Sequence, residues 1–357
     1  ILQITNTIIS ELKFENHFDE KRIVNLSDKP FSGIVEIKTS KTLEGYEKYD
    51  EEMGFDEYLL TDTQQVPITE DYTSIKTYLT PIKKLKPDEV DFVIPQLTDG
   101  ELEVSDNNIK NENIELKIFD GNIFINDIQF SLIDFADLGD SYNNAPDIDD
   151  KGYNYKVIRS RIAYKGYNRC SLRIEFEGKW DIIPLVVSLN RNSNYLKFEF
   201  NWDNSKKNHL LEAQFILSKN IKTVYSEDMD TLIKRKFDSN YDIRENLPKE
   251  RGIEVKTNTA PMQRGLLIDE KENNLGVITK GLTQYEIYKN NLYIPILRST
   301  GVISNPKNPA RTTPAGPPLE TPELQMLWKN KAEFYVFFGN QNAFKNVINS
   351  VYNYIVV

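Results

Sequence analysis

The chain has two histidines, His17 and His209, and one cysteine, Cys170, and that scarcity bounds the chemistry it can hold. A zinc centre needs several convergent nitrogen, sulfur or oxygen ligands, and no His/Cys/Asp pattern at ligand spacing offers them. His17, in Phe14-Glu15-Asn16-His17-Phe18, reads as a surface or hydrogen-bonded residue near a domain edge. His209 stands at a strand entrance beside Lys206 and Lys207 and reads as a turn histidine bonding backbone. Carboxylates are plentiful: Asp134, Asp137, Asp140, Asp147, Asp149 and Asp150 lie close together. They lack the glycine at position six and the glutamate at position twelve of an EF-hand loop, so they read as a solvated acidic loop. Asp140, Tyr142 and Asn143 are the candidates for ligand contact within it. A tyrosine offers an apolar face and a hydroxyl, and an asparagine can bond two neighbouring hydroxyls at once. The alternative for Gly139 to Pro146 is a strand-to-loop turn set by its glycine and proline. Arg298 ends an apolar strand and reads as an anchor for the 305–325 loop, with Glu320 or Glu323 as partners. Gly316-Pro317-Pro318 cannot cradle a phosphate, because its prolines lack amide donors.

The elements that position these residues are mostly strands. At 357 residues, with 39% hydrophobic side chains and 11% aromatic, the chain is long enough for two domains with substantial cores. Period-two alternation marks Ile114 to Ile118, Cys170 to Glu177, Ile182 to Leu189, Tyr195 to Phe200, Leu210 to Leu217 and Gln284 to Tyr288. Asp120-Gly121-Asn122 supplies a hairpin turn between Ile114 to Ile118 and Ile123 to Ile125. The reading is all-β: the end of a preceding helix or a linker over 1–14, a small β-sandwich over 15–105, and a large antiparallel supersandwich over 106–357. The polar Ser105 to Asn113 segment marks the boundary, and the run from Val347 to Val357 reads as a final strand.

With 44 basic against 54 acidic side chains, a formal charge of −10 and no basic cluster, nucleic acid is not expected as a partner. No stretch approaches the ~18 apolar residues of a membrane span. The lone cysteine leaves no intramolecular disulfide framework, and together with the lack of a signal-like opening this suggests a cytoplasmic address. The first residue is Ile1, in mid-pattern, so the chain reads as part of something longer.

Four segments carry a family resemblance. Asp137-Leu138-Gly139-Asp140-Ser141-Tyr142-Asn143-Asn144-Ala145-Pro146 resembles the Asp-x-Gly-Asp-x-Tyr-Asn-x-x-Pro stretch of glycoside hydrolase family 38, the zinc-dependent retaining α-mannosidases and mannosylglycerate hydrolases. Leu196 to Asn204 with Asn208-His209-Leu210-Leu211 is similar to a strand, turn and Asp-His-Arg-Leu-Arg sequence of that family, without its arginines. Gly281-Leu282-Thr283-Gln284-Tyr285-Glu286-Ile287 resembles Gly-Leu-x-Glu-Tyr-Glu-Val, with Gln284 in place of the central glutamate. Leu297 to Ser304 and Ala315 to Gln325 resemble the Leu-Leu-Arg-Ser-x-Gly and Ala-Gly-Pro-x-x-x-Thr-Pro-x-x-Gln block.

The resemblance implies the C-terminal β-region of such an enzyme, its large domain similar to the galactose mutarotase fold. It implies that zinc and the two catalytic aspartates belong to N-terminal α/β and helical domains of the same polypeptide. The 139–146 loop would then lean toward a cleft that binds the mannoside substrate. Retention needs two carboxyl groups ~5–5.5 Å apart, one held protonated, and no such catalytic set is assigned to this chain. Two other functions stay open: a stand-alone carbohydrate-binding β-sandwich, and a sugar epimerase for which His209 is the only histidine on hand.

Overall fold

The computed structural model describes residues 22–25, 31–39, 47–49, 59–61, 64–66, 76–86, 90–92, 100–247, 255–270, 273–311, 313–352 and 355–356. The expected helix end over 1–14 and His17 lie outside the described residues. Eight strands frame the centre of the molecule: β1 (Ile128–Ala136), β2 (Arg169–Glu177), β3 (Ile182–Asn190), β4 (Tyr195–Asp203), β5 (His209–Ile216), β6 (Gln284–Tyr288), β7 (Asn291–Ser299) and β8 (Lys329–Phe337). In one ten-stranded sheet β6, β7, β5 and β1 are successive neighbours, and in a nine-stranded sheet β2, β3, β4 and β8 are. Every pairing between neighbours among these strands is antiparallel, and antiparallel sheets with one buried face commonly carry the alternating apolar pattern.

The apolar faces of the two sheets meet in one core. Phe130 of β1 packs its ring 5.2 Å from that of Phe215 on β5 and 5.3 Å from that of Phe198 on β4, centroid to centroid. Phe176 and Phe334 stand at 6.4 Å. Phe198 and Phe334 stack at 5.1 Å. Aromatic rings bury large areas and favour these edge and offset geometries, so the cluster fixes the sheets face to face.

The hairpin expected at Asp120-Gly121 is present. Phe119 pairs with Asn122, and Asp120 and Gly121 take φ of 49° and 72°, as a two-residue type I′ turn requires. The polar 105–113 segment, read as the boundary, is itself built into the large sheet. Glu103–Ser105 and Asn108–Lys110 pair with each other and extend the ten-stranded sheet, and Val104 and Ile109 join the main core. Its asparagines have turn work: the Asn111 side chain accepts from the Asn113 and Ile114 amides and donates to the carbonyls of Asn190 and Ser193.

The closing segment also departs from expectation. Residues Gln341–Val351 form helix α1, capped by the Asn340 side chain, and only Ile355–Val356 is a strand. Phe344, Val347 and Ile348 recur at helical spacing and pack on Phe337 and Tyr335 of β8. That final strand pairs with Arg22–Asn25. In the N-terminal part Phe31–Thr39 pairs with Lys76–Leu85, and Glu36 from the former strand receives a 2.6 Å hydrogen bond from Arg169 of β2. No helix among the described residues is long and apolar enough to cross a membrane.

Truncating the ring at the centre of the cluster leaves a cavity that both sheets line. Phe130→Ala should lose about 3–5 kcal/mol, read as a lower denaturation midpoint at unchanged slope in urea unfolding.

Candidate functional site

The loop 137–146 follows directly from β1 and folds back on itself through its own side chains. Asp137 Oδ1 accepts from the amides of Gly139 at 2.8 Å and Ala145 at 2.9 Å. Asp140 Oδ1 accepts from the amides of Tyr142 at 3.0 Å and Asn143 at 3.1 Å. These are Asx-type turns, in which a short carboxylate replaces a backbone acceptor. Gly139 is required for a steric reason: a Cβ there would lie 2.0 Å from the Asn143 carbonyl oxygen.

Two arginines clamp the loop to the 298–325 block. Arg298 Nε donates to Asp137 Oδ2 at 2.6 Å, and its Nη2 to the Asp140 carbonyl. Arg311 donates from Nη2 to Asp140 Oδ2 and from Nη1 to Asn143 Oδ1. The Asn305 amide donates to Asp140 Oδ2 at 2.8 Å, and Ser141 Oγ donates to the Ile303 carbonyl at 2.7 Å. Arg298 is an anchor, but of the 137–146 loop rather than of the 305–325 loop, and its carboxylate partner is Asp137 rather than Glu320 or Glu323. Nothing in the sequence singles out Arg311, whose partner Asp140 lies 171 residues away.

The three candidates separate by exposure. Asp140 is 0% exposed and paired with Arg311, itself 3% exposed, so its carboxylate holds the loop and has no surface for a ligand. Burial pushes that carboxyl upward, but the Asn305 and Asn143 amides and the Arg311 guanidinium outweigh burial and hold it below its ordinary value. Tyr142 is 56% exposed. Its ring lies 5.7 Å from the Arg311 guanidinium, and its hydroxyl faces Gly316, where a Cβ would come within 2.9 Å. Asn143 is half-buried, with its amide oxygen taken by Arg311.

Behind the loop, His209 is buried rather than sitting in an open turn. Its Nδ1 lies 2.8 Å from Asp134 Oδ1 and its Nε2 3.1 Å from Asn204 Oδ1. Lys206 donates to the other oxygen of Asp134. The ring thus bonds side chains, while the His209 amide donates to Ser299 Oγ at 3.1 Å. Gln325 completes the junction: its side chain exchanges hydrogen bonds with Asn208, and its carbonyl accepts from Asn204. The aspartates expected to form a solvated loop are in part buried, and they disperse onto separate partners. Asp134 takes Lys206 and His209, Asp137 takes Arg298, Asp140 takes Arg311, and Asp150 accepts from the Ala136 and Gly152 amides. Among the described residues no group of three or more His, Cys, Asp or Glu side chains converges to hold a metal, so the donor set here does not fit a zinc ion.

No family model matches the chain. In sequence, 148 residues, 42% of this chain, are 26% identical to a putative mannosylglycerate hydrolase from Halalkalibacterium halodurans and cover 14% of that protein. In structure, the chain is similar to an α-mannosidase from Enterococcus faecalis V583, with a TM-score of 0.66 at 13% identity, over 94% of this chain and 46% of that one. A protein in glycosyl hydrolase family 38, also from Enterococcus faecalis, gives a TM-score of 0.67 at 13% identity, over 94% of this chain and 47% of the other. The fold is therefore one found in family 38 glycosyl hydrolases, and the chain spans about half the length of those two structures.

Removing one member of the buried pair leaves the other charge uncompensated. Arg311→Ala should cost about 3–5 kcal/mol, read by equilibrium unfolding. The pH dependence has a definite sign. A carboxyl held below its ordinary value in the folded state stabilises at pH above its unfolded value, and that contribution disappears as pH falls through the folded value. Asp140→Asn should therefore lower stability at neutral pH and flatten the loss seen below about pH 4, measured as Tm against pH beside the unsubstituted chain.

Proposed function

We propose that this chain is the β-region of a retaining α-mannosidase-type glycoside hydrolase of family 38. In this reading it completes the cleft and packs on catalytic α/β and helical domains of the same polypeptide. Zinc and the catalytic carboxylates belong to those domains, and a mannoside is the substrate of the assembled enzyme. The observation that carries the reading is the clamp between the two segments with the most specific resemblance. Arg298 and Arg311 tie the 137–146 loop to the 298–325 block, within a fold shared with two family 38 structures over 94% of the chain.

The division of labour follows from the geometry. Asp137 and Asp140 spend their oxygens on amides and guanidinium groups, which makes the loop stiff. A stiff loop can present Tyr142 at a set height, and a side chain held in place before substrate arrives loses little entropy on contact. Tyr142 offers its ring to sugar C–H groups and its hydroxyl as donor or acceptor. Asn143 keeps its amide NH₂ as a donor, its oxygen being engaged by Arg311. Asp140 acts as a positioning residue.

Two assays test this. The purified chain alone should show no turnover of a nitrophenyl α-mannoside, and turnover by it would overturn the assignment of catalysis to other domains. The chain joined to a family 38 catalytic half should be active, and Tyr142→Ala in that enzyme should lower kcat/KM about tenfold or more, the effect of losing one hydrogen bond to a polar group. An unchanged kcat/KM would remove Tyr142 from the cleft.

A further inference from the structure

Past the Arg311 clamp, the chain from Pro314 to Trp328 crosses the surface as a strap of unusual composition. Surface connections are ordinarily rich in small polar residues, whereas this one reads Pro-Ala-Gly-Pro-Pro-Leu-Glu-Thr-Pro-Glu-Leu-Gln-Met-Leu-Trp. Leu319, Leu324, Leu327 and Trp328 are each between 39% and 56% exposed, and Pro317 and Pro318 are exposed beside them. No Lys or Arg lies between Arg311, which is buried against Asp140, and Lys329.

The backbone of the strap is tied down while these side chains stand out. The Ala315 amide donates to Ser304 Oγ at 3.0 Å. The Leu319 carbonyl accepts from the Ile303 amide at 2.9 Å, and the Leu324 carbonyl from the Thr300 amide at 3.1 Å. The Trp328 carbonyl accepts from the Asn204 amide at 3.1 Å and from Asn330 Nδ2 at 2.6 Å. Pro314, Pro317, Pro318 and Pro322 have no amide hydrogen to offer water. Covering such a surface forfeits few hydrogen bonds to water and little conformational freedom, and it gains the burial of leucine and tryptophan side chains. Contiguous exposed apolar surface of this kind marks a site of protein contact.

Charge and position choose the occupant. The charged side chains of the strap are Glu320 and Glu323, and the chain as a whole carries −10. A second copy docked strap to strap would bring those glutamates together, whereas an apolar surface with Lys or Arg at its rim would complement them. The Tyr142 hydroxyl faces Gly316, so the strap adjoins the residue assigned to the substrate cleft. More than half of each of the two family 38 structures lies outside the part that matches this chain. We propose that the 314–328 strap docks on the catalytic half of the same polypeptide, against an apolar patch rimmed by basic residues. The identity of that half rests on the proposed function.

The test is hydroxyl-radical footprinting of the 357-residue chain beside the polypeptide expressed from its complete reading frame. Water is excluded from the centre of an interface, so Trp328, Leu319 and Leu324 should be oxidised at least about fivefold more slowly in the complete polypeptide. Phe119, exposed on the Asp120-Gly121 hairpin, should react at the same rate in both. The double variant Leu319→Glu, Leu327→Glu should take back most of the protection of Trp328 in the complete polypeptide, and the same pair should leave the Tm of the 357-residue chain unchanged. Equal oxidation of the strap in an active complete polypeptide overturns the docking and leaves the proposed function standing. Full protection of Trp328 in the double variant does the same. A complete reading frame without a catalytic half overturns the proposed function, and the docking with it. Dimerisation of the 357-residue chain in sedimentation, abolished by the double variant, overturns the inference in favour of a second copy.

Discussion

A carboxylate with no solvent contact organises the loop region of this protein. Asp140 is ionised beneath the 137–146 loop because Arg311 and the amides of Tyr142, Asn143 and Asn305 replace the water it has lost. A buried charge is costly without such partners. Each partner therefore becomes a constraint on the others: the loop must curl for its amides to reach Asp140, and the 305–311 segment must cross over for Arg311 and Asn305 to do so. Arg298 repeats the logic one turn away through Asp137. The exposed Tyr142 stands where it does because this small polar lattice closes.

The lattice rests on a core of a different kind. The Phe130 cluster holds the two large sheets together by area and shape, with no directional polar contact. Polar groups set the positions of loops at the sheet edge, and aromatic packing sets the distance between sheets. Substitutions in the two places should accordingly differ in kind. Core truncation weakens the whole domain, whereas loss of an arginine loosens one edge of it, since additivity fails only among residues that share partners. The His209, Asp134, Lys206 and Asn204 group belongs with the arginine clamps, for it joins β1 to β5 and, through Gln325, to the 298–325 block. With both ring nitrogens engaged and the side chain buried, His209 is placed to hold strands together rather than to serve as an epimerase acid.

The strands were legible in the sequence wherever one face is buried, because period-two alternation is a direct print of a half-buried strand. Tyr195 to Phe200, Gln284 to Tyr288 and the strands flanking Asp120-Gly121 all carried that print. Legibility failed where polarity had a local structural use. The asparagines of residues 105–113 read as a boundary by composition, yet Asn111 closes the turn that follows the edge hairpin of Glu103–Ser105 and Asn108–Lys110. The segment from Gln341 mixes Asn and Val in a way that suits a strand, yet Phe344, Val347 and Ile348 share one helical face against the outer side of β8.

For the site, the sequence by itself determined that the chain is all-β, that Asp140, Tyr142 and Asn143 sit in one short turn, and that it has too few histidines for a histidine-based metal centre. Those properties are local or compositional, so they need no fold. Which of the three residues is exposed, and which arginine meets which aspartate across 161 and 171 residues of chain, were decided by tertiary structure alone. The reason is that ion-pair choice and exposure depend on strand order and on which loops cross at an edge, and neither is written in the spacing of residues along the chain.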